Sequence, residues 1–174
     1  LSSSHGVSRC DPMFWAAIDN AEHAGVTVVF AAGNEGTRGG AAGSLRTPAD
    51  RIASPVSVFA VGALDTTNTV IASFSSRGPV TDELGTYLKP DLAAPGVGVR
   101  SSVPGGGYSY MSGTSMAAPH VAGAVALLLS AAPSYARDAG LIESALTSTA
   151  VPRTTSQTCG TDTPGSVPNN VWGW

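Results

Sequence analysis

The sequence predicts an α/β domain built on a mostly parallel sheet with helices on its faces. Short, wholly apolar runs such as Val26 to Ala32 and Val56 to Gly62 have the length and residue types of strands buried on both sides. Segments of helical periodicity alternate with these runs, the pattern of parallel-sheet units. Glycine and proline, 21 and 12 of 174 residues, make up roughly one residue in five against about 12% in average proteins, so tight turns join the elements.

Taken in order, Asp11-Pro12 opens a helix, since Asp caps free N–H groups and Pro fits the first helical position. Phe14, Ile18 and Ala21 follow at helical spacing, and Gly25 supplies the stop. The strand Val26 to Ala32 runs into Gly33-Asn34-Glu35-Gly36, and the Gly-, Ser- and Arg-rich stretch from Thr37 to Ala49 reads as a surface loop. Val56 to Gly62 and Val70 to Phe74 are further strands, and Ser75 to Pro95 is turn-rich. Val97 to Val103 and Tyr108 to Ser112 form a hairpin around Pro104-Gly105-Gly106-Gly107. An apolar helix spans about Ser115 to Ala131, and an amphipathic one Arg137 to Thr149, with Leu141, Ile142, Ala145 and Leu146 on one face. Val151 to Asn170 is polar and rich in turns. The longest apolar stretch, Val121 to Ala132, is shorter than the roughly 20 residues of a membrane span and reads as a buried core helix.

Composition narrows the function. Charged residues make up 12% of the chain against about 25% on average, and the net charge is −3, so no basic surface points to nucleic acid or an anionic membrane. Neither glycine cluster is followed by Lys-Ser or Lys-Thr, which sets phosphate-loop nucleotide binding aside. No His-Glu-x-x-His or paired Cys-x-x-Cys supports a metal site.

Ser115 stands between the hairpin and the N-terminus of the apolar helix, where free N–H groups and the helix dipole favour developing negative charge. Gly113 allows close approach of a substrate. By position alone Ser115 reads rather as a helix cap. The whole run, Ser112-Gly113-Thr114-Ser115-Met116-Ala117-Ala118-Pro119-His120-Val121-Ala122-Gly123, resembles the catalytic-serine signature of the subtilases, the subtilisin-like serine proteases. That resemblance implies a subtilisin-like three-layer α/β fold and makes Ser115 a nucleophile that forms an acyl-enzyme with a peptide carbonyl. Ala31-Ala32-Gly33-Asn34 resembles the family's oxyanion-hole strand, with Asn34 and the Ser115 N–H as donors. Taken alone, Asn34 reads as a turn residue between two glycines. Ser4-His5-Gly6 resembles the strand that pairs with an extended peptide substrate, 28 residues before Asn34. Phe74-Ser75-Ser76-Arg77-Gly78-Pro79 and Lys89-Pro90-Asp91-Leu92-Ala93-Ala94-Pro95-Gly96 resemble scaffold signatures, and Pro48 lies where the family often has a proline after a cis bond. Glu35 resembles a residue of the pocket rim, which implies some preference for basic side chains.

Subtilases order their triad Asp, His, Ser, and the segments carrying the first two lie upstream of the stretch matched by Ser4-His5-Gly6. The expectation is therefore that residues 1–174 are the C-terminal part of one catalytic domain, incomplete in this chain. Leu1 and Trp174 both read as cuts through structure, and Asn169-Asn170-Val171-Trp172-Gly173-Trp174 resembles the start of a longer motif. His120 follows Ser115 by five residues, about 140° around the helix, and points to a core or supporting role. His23 reads as a surface residue at a helix end. The implied partners are extended peptide substrates and the upstream half of the domain. The chemistry requires no cofactor, and structural Ca²⁺ is a family property without ligands evident here. Cys10 and Cys159 bridge to each other, pair with cysteines elsewhere, or stay free. The family and the many small polar residues imply secretion. The rival to a serine endopeptidase is a subtilase fold kept as a peptide-binding or purely structural module.

Overall fold

Val29–Ala31, Phe59–Leu64 and Leu92–Pro95 form the sheet at the centre of the chain, seen in a computed structural model that describes residues 12–36, 42–52, 58–82 and 85–174. In chain order, a 3-10 turn (Pro12–Phe14) leads into α1 (Trp15–His23), then β1 (Val29–Ala31), β2 (Phe59–Leu64), β3 (Val80–Asp82) and β4 (Gly85–Tyr87). β5 (Leu92–Pro95), β6 (Val99–Val103), β7 (Gly107–Met111), α2 (Thr114–Ala131) and α3 (Ala139–Ser148) follow. The sheet order is β1-β2-β5, parallel throughout, with Val29 opposite Phe59 and Val61 opposite Leu92. β3–β4 and β6–β7 are separate antiparallel pairs.

Alternation along β2 divides the interior. Phe59, Val61 and Ala63 face α2 and α3, where they pack with Leu92, Ala94, Ala117, Val121, Val125 and Ile142. Ala60 points the other way, into a smaller cluster with Ala32, Leu45, Ala49 and Val80. β2 is thus buried on both faces, as its unbroken apolar sequence requires.

The two scaffold signatures hold the sheet from within. Ser75 Oγ accepts the Ala63 N–H at 3.0 Å, and Asp91 Oδ2 accepts the Ala60 N–H at 2.7 Å. Lys89 is buried, donating from Nζ to Val58 O at 2.8 Å and to Asp91 Oδ2. Arg77 donates from Nε to Gln157 Oε1 at 2.8 Å and ties the turn-rich C-terminal stretch to the sheet. The Thr47–Pro48 peptide is cis, matching the expectation for Pro48.

Several sequence expectations need correction. Val70 to Phe74 is not a strand: Ile71 makes one antiparallel bridge to Leu64, and the chain turns again at Ser75. Asp65 forces this, because Oδ1 accepts the Thr69 and Val70 N–H groups at 3.2 Å and closes a tight loop. The stretch read as turn-rich contains β5, the third parallel strand, masked in sequence by Pro90, Asp91 and Pro95. Strand β1 is shorter than the apolar run, since Val26 is exposed. Helix α2 is not buried all round. Thr114, Ala117, Val121 and Val125 face the sheet, whereas Ala122, Gly123, Ala126 and Leu127 are exposed, Leu127 at 74%. By length and composition alone α2 could cross a membrane, but it packs on β1, β2 and β5.

Glu143 on α3 has its carboxyl pushed up to about 7, first by burial and then by the negative charge of Asp91, with Glu22 adding and Lys89 opposing. The folded chain keeps this proton at pH values where the unfolded chain, near the ordinary 4.5, has released it. The contribution of Glu143 to stability therefore falls as pH rises from about 4.5 to about 7 and is flat above. Glu143→Gln is expected to remove that loss, raising stability at pH 8 by about 1–2 kcal/mol after allowance for partial solvent screening. Thermal unfolding at pH 5 and pH 8 measures it; an equal drop in both proteins between the two pH values would refute the assignment.

Candidate active site

Strand β1 ends at Ala31, and the chain leaves the sheet through Ala32-Gly33-Asn34 at its carboxyl edge, where parallel sheets place their ligands. Helix α2 begins against the same edge. Three hydrogen bonds join them. The Thr114 N–H and Oγ1–H both donate to Asn34 Oδ1, at 2.9 and 3.0 Å, and the Gly33 N–H donates to Thr114 Oγ1 at 3.2 Å. Thr114 is fully buried, and it replaces with side-chain bonds what the helix start cannot supply to itself.

This pattern fixes the Asn34 amide. An oxygen that accepts two donors cannot be the NH₂ group, so Nδ2 is the free end. It lies beside Gly113, whose Cβ, if present, would sit 3.6 Å from Nδ2. Ser115 is exposed as the second residue of α2, and its N–H is one of the four that a helix leaves unpaired. Among the described residues neither Ser115 Oγ nor Asn34 Nδ2 has a hydrogen-bond partner. An exposed hydroxyl, a free backbone N–H and an oriented amide donor thus stand together at the positive end of an 18-residue helix with no acidic residue in its first turn. That set can receive an oxygen acquiring negative charge.

The Thr114 bonds place Asn34 next to the residue before Ser115, and Ala31, Ala32 and Gly33 lead into Asn34. Ser4, His5, Gly6 and Cys10 lie outside the described residues. Cys159 is buried and unbridged among the described residues. His23 is exposed at the end of α1, its Nδ1–H bonded to Asp19 O at 2.7 Å, as its surface reading required. His120 corrects the expectation of a core role. It is exposed, and its Nδ1–H donates to Met116 O at 2.9 Å, one turn back along its own helix. The face of α2 that carries it has no covering element among the described residues. His120, Pro119, Met116 and Ser115 form one wall of a cleft of about 510 Å³, and strands β6 and β7 form the other.

Thr114 was not singled out by sequence reasoning, although its place between the flexible glycine and the serine was a signal. Gly33 was, but not for its actual reason. Its φ is +113°, and a Cβ there would come within 2.6 Å of Glu35 Oε2 and 2.7 Å of Ser76 Oγ. The Glu35 N–H donates to Ser76 Oγ, and Ser76 Oγ–H is within 3.2 Å of Glu35 Oε2. Arg46 Nε is 3.9 Å from the same oxygen. The described residues hold no group of three or more His, Cys, Asp or Glu side chains placed to bind a metal ion.

The sequence model of the subtilase family, Peptidase_S8, matches residues 1–174. The chain belongs to the subtilase family of serine proteases. It is 46% identical over 118 residues to subtilisin E of Bacillus subtilis, covering 68% of this chain and 27% of that protein. It is likewise 46% identical over 118 residues to subtilisin of Bacillus pumilus, covering 38% of that protein, and 41% identical over 143 residues to pyrolysin of Pyrococcus furiosus, covering 10%. The protease PagA, which matures prenylagaramide, superposes with a TM-score of 0.70 at 29% identity over 92% of this chain and 54% of its own. The chain spans well under half of the curated relatives and about half of that structure. The subtilase chain thus carries a parallel sheet flanked by helices, as its sequence predicted.

Thr114→Val keeps the shape but removes one donor to Asn34 Oδ1 and the acceptor of the Gly33 N–H. The loss is expected to destabilise the chain by about 1–3 kcal/mol, the range for a buried donor left unsatisfied. Urea unfolding measures it, and a change below about 0.5 kcal/mol would show that these bonds do not hold the site together.

Proposed function

We propose that the protein containing this chain is a secreted serine endopeptidase, with Ser115 as nucleophile and Asn34 Nδ2 and the Ser115 N–H as the oxyanion hole. The observation that carries the reading is the double hydrogen bond from Thr114 to Asn34 Oδ1, which leaves Nδ2 as the free donor beside an exposed serine. In this reading Ser115 Oγ attacks a peptide carbonyl carbon, the carbonyl oxygen takes the negative charge, and the two donors stabilise it more than they stabilise the planar ground state. Collapse of the tetrahedral adduct expels the amine and leaves an acyl-enzyme, which water hydrolyses. Substrates bind extended, against the segments Ser4-His5-Gly6 and Ala31-Ala32-Gly33.

A general base and its orienting carboxylate must complete the site. Among the described residues His120 is the histidine of the cleft, and its ring is held back along α2 by Met116 O rather than toward Ser115. We assign the base and the carboxylate to chain outside these 174 residues, which together with that chain form one catalytic domain. Among the described residues nothing covers part of the apolar face of α2, where Leu127 is 74% exposed, which fits a larger domain. Secretion follows the low charge, the many small polar residues and the family.

In the intact protein Ser115→Ala is expected to abolish labelling by a fluorophosphonate reagent, and persistent labelling would reject the nucleophile. Subtilisin supplies the magnitude for the oxyanion donor, whose loss costs about 10²–10³ in kcat. Asn34→Ala is expected to fall in that range with KM little changed. The 174-residue chain alone is expected to hydrolyse peptides negligibly, because in subtilisin loss of the triad histidine costs about 10⁶ in kcat. Peptide cleavage by the purified chain at the rate of an intact subtilase would refute this division of the site.

A further inference from the structure

We propose that His120 is a positioning residue: its Nε2 accepts a hydrogen bond from the segment of this protein, outside these 174 residues, that brings the general base to Ser115. The proposal rests on the reading of Ser115 as nucleophile given above.

Helix α2 carries no Asp, Glu, Lys or Arg, yet Ser115, Pro119, Ala122, Gly123, Ala126 and Leu127 form one exposed stripe along it. A surface helix turns charged side chains outward, so this stripe has the composition of an interior face. Among the described residues nothing lies within 4 Å of where a Gly123 Cβ would stand, which leaves room for another backbone to come close. At the Ser115 end the stripe becomes the wall of the cleft of about 510 Å³, whose apolar lining includes Val99, Met111, Met116 and Pro119. Arg100 borders the cleft as well, but its guanidinium lies over the Tyr108 ring, 4.2 Å from the centroid.

The occupant follows from what Ser115 lacks. A general base acts from about 2.6–3.2 Å of the hydroxyl it deprotonates. Ser115 lines this cleft, and the described residues bring no base to it. The segment that carries the base therefore enters here. The aligned stretch covers 27% and 38% of the two subtilisins, so such relatives hold further chain to supply that segment.

His120 is the polar group that the segment meets. A carbonyl only accepts, so the 2.9 Å bond to Met116 O puts a hydrogen on Nδ1. In the neutral imidazole Nε2 is then a lone pair, and among the described residues it has no partner. Apolar chain laid over it would take away its water and return nothing. A hydroxyl or backbone N–H on the incoming segment restores the bond and anchors that segment five residues from the nucleophile on the same helix.

His23 supplies the internal control. It is exposed on α1, and its Nδ1–H is bonded in the same way to Asp19 O, four residues back. Diethyl pyrocarbonate acylates a free imidazole nitrogen, and mass spectrometry of the intact protein gives the rate at each histidine. In dilute, substrate-free protein His120 is expected to react at least about tenfold more slowly than His23. His120→Phe is expected to lower kcat about tenfold or more with KM little changed, and His120→Gln, whose side-chain oxygen reaches the place of Nε2, to lose only about threefold. A residue that merely fills space predicts the opposite order, and that order refutes the proposal. Fluorophosphonate labelling reports the nucleophile separately. Labelled Ser115 with His120 as reactive as His23 overturns the proposal and leaves the nucleophile standing. Protection that develops only at high protein concentration, or only with a peptide inhibitor bound, gives the cleft to a second copy or to substrate and overturns it too. Absence of labelling overturns the nucleophile and this inference with it. If His120→Phe does not fold, the two acylation rates in the unsubstituted protein decide alone.

Discussion

The junction between Asn34 and Thr114 is the contact on which the rest of the site depends. It joins the end of the first parallel strand to the start of the longest helix through two hydrogen bonds onto one oxygen, with a third from Gly33 closing the loop. Each bond alone contributes about 1 kcal/mol. Their joint effect is geometric. They leave the asparagine amide one orientation, pair the Thr114 N–H at the helix start without covering Ser115, and involve a Thr114 that is fully buried. A helix start capped by its own serine would have consumed the hydroxyl. Here the acceptor comes from the loop after β1, and Ser115 stays exposed.

The sheet makes that junction rigid. Asn34 sits where it does because β1 runs parallel to β2, and β2 is buried on both faces and held at Ala60 and Ala63 by Asp91 and Ser75. The Lys89–Asp91 pair is buried beneath the sheet, where two charges taken out of water must be matched closely. Lys89 Nζ is shared with Val58 O, so the pair also satisfies backbone at the entry to β2. The segments that the sequence marks as scaffold thus act on the strands, and the strands position the loop that carries Asn34.

Much of this was legible in the sequence. The Gly-rich tip between two short strand-like runs marked the β6–β7 hairpin, and the apolar run after Ser115 marked α2, because both patterns are local. The twelve-residue run and the strand motif marked the two segments that the Thr114–Asn34 bonds join. What sequence could not show was long-range. β5 hides between prolines, since a parallel strand bonded on one side tolerates residues that look like turns. Val70 to Phe74 has strand residues, but the Asp65 carboxylate captures the backbone N–H groups that a ladder would need. The role of Thr114 depends on a partner 80 residues away.

A crystal structure of the intact protein with a peptide boronic acid or aldehyde tests the central claim most directly. The expected adduct is covalent at Ser115 Oγ, with the inhibitor oxygen about 2.7–3.1 Å from both Asn34 Nδ2 and the Ser115 nitrogen. The Thr114 bonds to Asn34 Oδ1 would be unchanged. An adduct on another residue, or an inhibitor oxygen turned away from Asn34 Nδ2, would contradict the account.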